Sequence, residues 1–375
     1  MKKFFQDFRL VDSKQDFVGS LLLENDLITA IFPSHDHLAD KCRCEAAAVF
    51  SGDGRRILTP GFIDIHAHFR DPGFPAKETL ESACLAAVRG GWTTAVCMAN
   101  TMPPLDTAER AAALRSRAAA LGIIDLYPVL SLTTAMDGRE VSRAFQNLHE
   151  YTPRLFSEDG KDIERDDVFK AALEEAARLK IPVSCHCDID GEATAVQRAL
   201  RFGRESHCHL HIAHVSTRKA CELIRKAKQS ANGFNVSVEA TPHHIALNAA
   251  DAEHLGASTF GKVAPPLRNE DDRRAVIEAL QDGTIDAIAT DHAPHTRTDK
   301  EKNAPGFIGL ETAFSVVNTI LQNEGLTLSD ISRLLSSGPA AILNLHDRGV
   351  LEPGKRAHLV VLDAEEELVI TENFS

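Results

Sequence analysis

The sequence of 375 residues has no long apolar segment. Nowhere do apolar residues approach the run of roughly 18 that a membrane-spanning helix needs. The chain starts with Met1-Lys2-Lys3-Phe4-Phe5, but Gln6, Asp7 and Arg9 interrupt any apolar core of a secretory signal peptide. We therefore expect neither a membrane partner nor a secretory signal.

An excess of basic residues is also missing, since 41 lysines and arginines stand against 54 aspartates and glutamates, for a net charge of −13. Binding to the phosphates of nucleic acid needs a basic surface, so the charge excludes nucleic acid as the expected partner. The same balance means that a site for an acidic substrate has to create its own positive field, from metal ions and arginine.

Two motifs that would indicate other chemistry are absent. No Gly-x-Gly-x-x-Gly follows a predicted strand, so nothing supports a dinucleotide-binding fold. The eight cysteines lie mostly inside strand-like or helix-like segments, as reduced buried thiols do. The pairs Cys42-x-Cys44 and Cys185-x-Cys187 lack the spacing of a zinc ribbon. We expect a reduced, cytoplasmic protein.

From Gly61 onward, strand-like and helix-like patterns alternate. One predicted helix repeats apolar residues at helical spacing from Leu80 and ends at Gly90-Gly91. Eight strands that alternate with helices predict an α/β protein with a closed (β/α)8 TIM-like barrel, and a doubly wound open sheet is the alternative. The predicted strands cover residues 62–66, 93–98, 125–130, 154–157, 181–185, 209–213, 235–240 and 285–290.

The chain is longer than a typical barrel of about 250 residues. Residues 1–56 consist of short apolar runs between polar turns, and residues 357–362 predict one more strand. We expect both chain ends, 1–56 and 347–375, to form a small β accessory domain, with the barrel at 57–346. The charged stretch at 297–306 has the composition of a flexible lid.

The first barrel strand ends in two histidines, His66 and His68. Alternate side chains of a strand share one face, so both imidazoles project together at the carboxyl end, where barrel enzymes hold their catalytic groups. Two imidazoles placed in this way form half of a transition-metal site. Arg70 follows with the same parity and could hold an anionic substrate beside the metal.

Metal-binding residue types recur at the ends of later strands, as Asp159, His186, His214 and Asp291. Any one of them could be an ordinary packing residue, but six such groups at one end of a barrel predict a two-metal centre. Asp159 is the expected bridge, since a carboxylate has two oxygens to share. Asp291 could take a proton from a metal-bound water and return it to a leaving nitrogen. The nitrogen-rich ligand set favours zinc.

The other histidines near these strands are not expected to bind metal. His207, His209 and His211 alternate along the sixth strand, so they point inward or lie in the preceding turn. His243-His244 at the end of the seventh strand is ambiguous, and we interpret this pair as support for the ligands.

These motifs resemble the dihydroorotase family, in particular the bacterial class whose metals are bridged by an aspartate rather than by a carboxylated lysine. The resemblance covers about residues 56 to 362. Its most specific part is the Arg-Asp-Pro-Gly at 70–73, because the preceding His-x-His is shared by the whole amidohydrolase superfamily. The other matching motifs are Glu158-Asp159-Gly160, His214-Val215-Ser216-Thr217, Thr241-Pro242-His243-His244, Thr290-Asp291-His292-Ala293-Pro294-His295 and Gly309-Leu310-Glu311-Thr312-Ala313.

The resemblance implies the reversible ring closure of N-carbamoyl-L-aspartate to dihydroorotate in pyrimidine synthesis, through metal-bound hydroxide. It implies two Zn²⁺ per chain, Asp291 as the acid and base, and a metal set of His66, His68, Asp159, His186, His214 and Asp291. A substrate carboxylate would be held by Arg70, Asn100 and His295, and backbone groups near Gly306 would touch the ring. A homodimer and an aspartate transcarbamoylase partner are both left open.

The chain departs from the family pattern at three places. Ala264 stands where the family has an asparagine before Pro-Pro-Leu-Arg, Ala99 replaces a proline before Asn100, and the sequence ends at Ser375, before a further β segment of the relatives. These changes leave the metal set intact. Two alternatives stay open: another cyclic amidohydrolase of the dihydropyrimidinase, hydantoinase or allantoinase type, and a non-catalytic dihydroorotase-like subunit that scaffolds a transcarbamoylase.

Overall fold

The structure is a computed structural model that describes residues 1–34, 36–230, 234–363, 365–367 and 369–371. The end of the predicted accessory domain, 372–375, lies outside the described residues. The chain forms two units, Met1–Ile63 with the segment from Leu321 onward, and Asp64–Ile320. The domain boundaries expected from the sequence stay a prediction.

Fourteen strands lie in the described part of the chain. They are β1 (Lys2–Asp12), β2 (Gln15–Glu24), β3 (Leu27–Pro33), β4 (Ala48–Ser51), β5 (Ile57–Pro60), β6 (Phe62–Ala67), β7 (Trp92–Cys97), β8 (Asp125–Pro128), β9 (Phe156–Ser157), β10 (Val183–Cys185), β11 (Leu210–Ile212), β12 (Val236–Ala240), β13 (Ala287–Ile288) and β14 (Leu359–Leu362).

Thirteen α-helices lie in the same described residues, and none of them is long and apolar enough to cross a bilayer. They are α1 (His37–Glu45), α2 (Leu80–Arg89), α3 (Ala108–Leu121), α4 (Asp166–Leu179), α5 (Glu192–Glu205), α6 (Arg218–Gln229), α7 (Pro242–Ala246), α8 (Ala249–Leu255), α9 (Glu270–Gln281), α10 (Arg297–Glu301), α11 (Ala313–Asn323), α12 (Leu328–Ser332) and α13 (Gly338–Ile342).

Eight strands, β6 to β13, close into a ring. One arc has the order β6-β7-β8 and the other β13-β12-β11-β10-β9, and strands β7 with β8 and β9 through β13 pair in parallel. Parallel bridges from Leu130 to Phe156 and from Ala67 to His292 join the two arcs at both ends. The ring confirms the predicted (β/α)8 barrel and excludes the open sheet.

Helix α2 shows how the sequence starts and stops these elements. The hydroxyl of Thr79 accepts a hydrogen bond from the backbone N–H of Ser82 and caps the first turn, and the helix ends at Gly90. The apolar residues of α2 recur at helical spacing, so they share one face of the helix, and this face is buried. Its buried residues are Leu80, Ala83, Cys84, Ala86 and Ala87.

Both chain ends build one six-stranded sheet in the order β14-β5-β1-β2-β3, with β4 paired to β1. Strand β14 runs antiparallel to β5 and pairs Leu359 with Pro60 and Leu362 with Ile57. This pairing confirms the prediction that the two chain ends form the accessory β unit. Its apolar core contains Phe8, Leu10, Leu21, Leu23, Ile28, Leu58 and Leu351.

Six of the eight barrel strands are shorter than the sequence predicts, and two of them, β9 and β13, are only two residues long. The strand expected at 154–157 is Phe156–Ser157, and the one expected at 285–290 is Ala287–Ile288. Apolar composition reports that a segment is buried, whereas a strand extends only as far as its backbone pairs with a neighbour. The apolar segments of the sequence therefore predict that eight strands exist, whereas backbone pairing with neighbours sets where each strand begins and ends.

The stretch at 297–306, whose composition suggests a flexible lid, contains helix α10, and Lys300 on this helix is buried. The Nζ of Lys300 donates to the backbone carbonyls of Lys262, Ala304 and Gly306 at 2.9, 3.1 and 2.9 Å, since an ammonium buried without acceptors would be costly. The bond to Lys262 ties the helix to the loop before it, and the other two lie within the segment. That this stretch acts as a lid stays a prediction.

We expect Gly90→Ala to lower the melting temperature by several degrees. A Cβ at this position would lie 1.9 Å from the backbone oxygen of Leu310, and relieving such an overlap costs roughly 1–3 kcal/mol. Scanning fluorimetry measures the change. Gly309→Ala is the matched control, since its Cβ would meet nothing nearer than 3.6 Å. A Gly90→Ala variant as stable as the wild type would contradict this packing.

Candidate metal centre

His66 lies at the carboxyl end of β6, and His68 follows the strand directly. Both are buried, with 0% and 6% of their surface exposed. Asp64, two residues earlier, accepts hydrogen bonds from the backbone N–H and the hydroxyl of Thr290 at 3.0 and 2.5 Å. This carboxylate ties the strand that carries the histidines to the segment that precedes Asp291.

The carboxylate of Asp159 lies among all four predicted histidine ligands. Its Oδ1 is 3.2 Å from His66 Nε2 and 3.4 Å from His186 Nδ1. The same oxygen is 3.6 Å from His214 Nε2, and Oδ2 is 3.4 Å from His68 Nε2. Burial alone would raise the pKa of Asp159, but the charge of His66 and the nearby imidazoles of His186 and His214 hold it well below its usual range. This carboxylate therefore lies at the centre of the four predicted histidine ligands.

Asp291 faces the same imidazoles from the end of the last barrel strand. Its Oδ1 lies 3.1 Å from His68 Nε2 and 3.7 Å from His66 Nε2. Its backbone has a φ of 46°, in the left-handed region that most residues avoid. Burial opposes ionisation, but the hydrogen bond with His68 and the nearby imidazole charges lower the pKa of Asp291 far below its usual range.

His186 and His214 complete the group on its far side. The Nδ1 of His186 lies 3.0 Å from the Nε2 of His214, and the two rings cross nearly at right angles, 4.7 Å apart. Their nitrogens therefore converge beside Asp159. All six residues that the sequence predicts as ligands come together in the structure.

This arrangement fits divalent metal ions. Among the described residues, the buried atoms His66 Nε2 and Asp159 Oδ1 have no hydrogen-bond partner, which is costly for a polar atom inside a protein. Candidate ligand atoms lie within 4.8 Å of one another in two sets that share His66, one with His68 and Asp291 and one with Asp159 and His214. Imidazole nitrogens and carboxylate oxygens are donors that zinc and similar ions bind.

Glu239 is a site residue that the sequence analysis missed. It is fully buried on β12, and its carboxylate accepts from His66 Nδ1 at 2.6 Å and from His211 Nε2 at 3.0 Å. Burial opposes ionisation, but the charge of His66 and both hydrogen bonds lower the pKa of Glu239 to about 2. The bond to Nδ1 fixes the tautomer of His66, so that its Nε2 is available as a ligand. The sequence feature that could have revealed it is an acidic residue within a predicted buried strand, Val236–Ala240 in the structure.

The other histidines near the strand ends, His211 and the pair His243-His244, have different surroundings. His211 bonds to Glu239 and to Ser237, and His244 bonds to the hydroxyl of Thr241 and faces the carbonyl of Pro265. His243 is buried, and its Nε2 has no partner in the described chain. Burial lowers the pKa of His243 to about 4.

The three residues predicted to hold a substrate carboxylate lie at the rim of this group. A guanidinium nitrogen of Arg70 is 3.2 Å from His295 Nε2, and its Nε donates to the carbonyl of Pro294 at 3.2 Å. Asn100 is next to the ligands, where its Oδ1 accepts from His68 Nδ1 at 3.0 Å. Asn100 therefore orients a candidate ligand, a contact that the sequence does not reveal.

Gly306 packs closely against the segment that leads to His295. Its φ is 142°, and a Cβ here would lie 2.6 Å from the carbonyl oxygen of Ala293 and 3.2 Å from the His295 ring. Its backbone N–H donates to the carbonyl of Lys262 at 3.0 Å. Only glycine fits at this position, and the contact of this backbone with a substrate ring stays a prediction.

Comparison with known proteins places this geometry in a family. The amidohydrolase family matches residues 57–375. The chain is 41% identical to a dihydroorotase of Thermus aquaticus over 367 residues, covering 88% of this chain and 84% of that one. It is 32% identical to a dihydroorotase of Clostridium botulinum over 383 residues, covering 100% of this chain and 92% of that one.

Solved structures with the same fold are more distant in sequence. The L-hydantoinase (dihydropyrimidinase) of Arthrobacter aurescens is similar with a TM-score of 0.84 and 24% identity, covering 95% of this chain and 86% of that one. A D-hydantoinase has a TM-score of 0.81 and 20% identity, with 99% and 88% covered. At these identities the likeness concerns the fold alone.

We expect Glu239→Gln to weaken metal binding by about 10- to 100-fold, because a ligand imidazole loses its charged partner. Metal retained after dialysis against graded chelator, counted by mass spectrometry, measures the loss. Glu192→Gln is the control, since this buried carboxylate bonds to Ser216 and Thr217 instead of to a ligand ring. Metal retention equal to the wild type in Glu239→Gln would refute the orienting role.

Proposed function

The chain belongs to the amidohydrolase family and, within it, to the dihydroorotases, and from this premise we propose that it catalyses the reversible ring closure of N-carbamoyl-L-aspartate to dihydroorotate. It is a metal-dependent hydrolase that acts on cyclic amides. We propose that the reaction serves pyrimidine synthesis and takes place in the cytoplasm.

One observation carries the proposal. A single ionised carboxylate, Asp159, lies within 3.6 Å of four imidazoles from three different strand ends. A second carboxylate, Asp291, faces two of those imidazoles. A cluster of this composition suits a shared pair of cations beside a group that can move a proton.

We propose that two Zn²⁺ ions are held by His66, His68, Asp159, His186, His214 and Asp291, with Asp159 shared between them. Such ions, when bound, would polarise an amide carbonyl and lower the pKa of a nearby water. Glu239 and Asn100 hold the rings of His66 and His68 so that both direct Nε2 to the same point. The protein thus supplies ligands that are oriented before any ion binds.

Asp291 is proposed to move the proton. During ring opening, its carboxylate accepts a proton from water as the oxygen bonds to the amide carbon, and it then donates this proton to the ring nitrogen as the C–N bond breaks. Ring closure runs through the same steps in reverse and releases water.

The substrate carboxylate is proposed to bind at Arg70, His295 and Asn100. Arg70 and His295 adjoin each other, and the Oδ1 of Asn100 is engaged by His68, which directs its amide nitrogen as the donor for a substrate. Ala264 has no amide to add. The strongly acidic chain thus carries a local positive rim beside its carboxylates, as binding of a dianionic substrate requires.

The alternatives have less support. Hydantoinase-like structures share the fold at 24% identity or below. Lys161, the lysine nearest to Asp159 in sequence, donates to the carbonyl of Met136 and does not take the bridging position. A non-catalytic subunit has no need for an intact set of six ligands. A homodimer or a complex with a transcarbamoylase stays a proposal about assembly.

We expect the zinc-loaded protein to interconvert carbamoyl aspartate and dihydroorotate, and to lose this activity on chelation. An ultraviolet assay of dihydroorotate measures turnover, with hydantoin and allantoin run in parallel. Faster turnover of hydantoin or allantoin would favour the other cyclic amidohydrolases. Absent turnover with two ions bound would favour the scaffolding subunit.

We expect Asp291→Ala to lower kcat by about 10²- to 10⁴-fold, because the proton has no carrier. Steady-state kinetics measures the loss, and melting temperature checks the fold. Arg70→Ala is the comparison, since it should mainly raise KM for the acidic substrates. Substantial turnover by Asp291→Ala would contradict the proton-transfer role.

A further inference from the structure

The imidazole of His295 lies between two cations. Its Nε2 is 3.2 Å from a guanidinium nitrogen of Arg70, and its Nδ1 is 3.3 Å from the Nζ of Lys77. Arg70 is expected at this place from the sequence, whereas Lys77 is not. The proposed binding of the substrate carboxylate uses Arg70, His295 and Asn100 and gives no role to Lys77.

These three groups together have more hydrogen-bond donors than acceptors. Ammonium and guanidinium groups only donate, and a neutral imidazole has one N–H and one accepting nitrogen. Burial, followed by the charges of Arg70 and Lys77, lowers the pKa of His295 to about 4, so the ring is neutral at physiological pH. It can accept from one cation only, and its own N–H then points towards the other.

Arg70 also donates to the carbonyl of Pro294, whereas Nδ1 of His295 is the one acceptor that the described residues offer within hydrogen-bond distance of Lys77. The Nζ of Lys77 lies 3.7 Å from Asp299 Oδ2 on helix α10 and 5.3 Å from the centre of the Phe74 ring, and its side chain is 24% exposed. When Lys77 donates to Nδ1, the proton of His295 is on Nε2. Two N–H donors, those of Arg70 and His295 Nε2, then meet 3.2 Å apart, and an acceptor shared between them satisfies both.

We propose that Lys77 is a positioning residue for the substrate carboxylate: it keeps the proton of His295 on Nε2, so that His295 and Arg70 donate together to one anionic group. This inference rests on the proposed function, which supplies the carboxylate. It extends that function, because binding of an acidic substrate would then depend on Lys77, which acts by orienting His295. A carboxylate accepts such paired donors in a fork geometry.

A double-mutant cycle tests this coupling. We expect Lys77→Met to raise KM for dihydroorotate about tenfold, with kcat within about twofold, since a charge-assisted orientation is lost. In the His295→Ala background the same substitution should have no further effect on kcat/KM, because the ring through which it acts is gone. Lys77→Arg, which still donates to Nδ1, should recover most of the loss.

Asp299→Asn is the matched control. It removes the long ion pair of Lys77 with helix α10, while its amide oxygen can still accept from the backbone N–H of Thr296, so its KM should stay within about twofold of the wild type. Melting temperatures report whether each variant folds, and Lys77→Gln replaces Lys77→Met if the latter does not.

The outcomes separate this inference from the proposed function. A wild-type protein without dihydroorotate turnover overturns the proposed function, and the inference with it. An active wild type overturns the inference alone if Lys77→Met leaves KM unchanged, if its effect is the same with and without His295, or if Asp299→Asn reproduces it. A tenfold rise that disappears in the His295→Ala background supports it.

Discussion

The site depends on mutual compensation of charge among buried carboxylates and imidazoles. Three carboxylates, Asp159, Glu239 and Asp291, are buried at the carboxyl end of one barrel together with the imidazoles. Burial by itself would keep the acids protonated. Contact with the imidazoles reverses that effect and lowers the pKa of all three carboxylates. The result is a fixed group of acceptors and nitrogen ligands whose negative charge attracts cations.

The orientation of the ligand imidazoles is fixed by residues that lie behind them. Glu239 accepts from His66 Nδ1, and Asn100 accepts from His68 Nδ1, so both histidines present Nε2 to the centre. His186 presents Nδ1 instead, at 3.4 Å from Asp159. The closed ring of parallel strands makes this possible, because it brings the ends of distant segments to one rim where outer partners can reach the ligands.

The residues proposed to bind metal ions and those proposed to bind the substrate carboxylate form two neighbouring groups. The inner group is acidic and holds cations, whereas the rim at Arg70, Lys77 and His295 is positive and has spare N–H donors. Helix α10 lies beside this rim, and its buried Lys300 donates to three backbone carbonyls. A chain with a net charge of −13 can therefore attract an anionic substrate locally, since charges beyond about 8–10 Å are screened by salt.

The sequence alone determined the barrel, its eight strands and the six candidate ligands, because alternation within a strand and the shared direction of parallel strands put His66, Asp159 and Asp291 at one rim. It did not determine strand ends such as those of β9 and β13, which depend on pairing with neighbours. Glu239 and Lys77 were also out of reach. Glu239 lies 173 residues from His66 and Lys77 lies 218 residues from His295. Only the tertiary structure decides such contacts, because a hydrogen bond depends on distance in space and leaves no periodic trace in the chain.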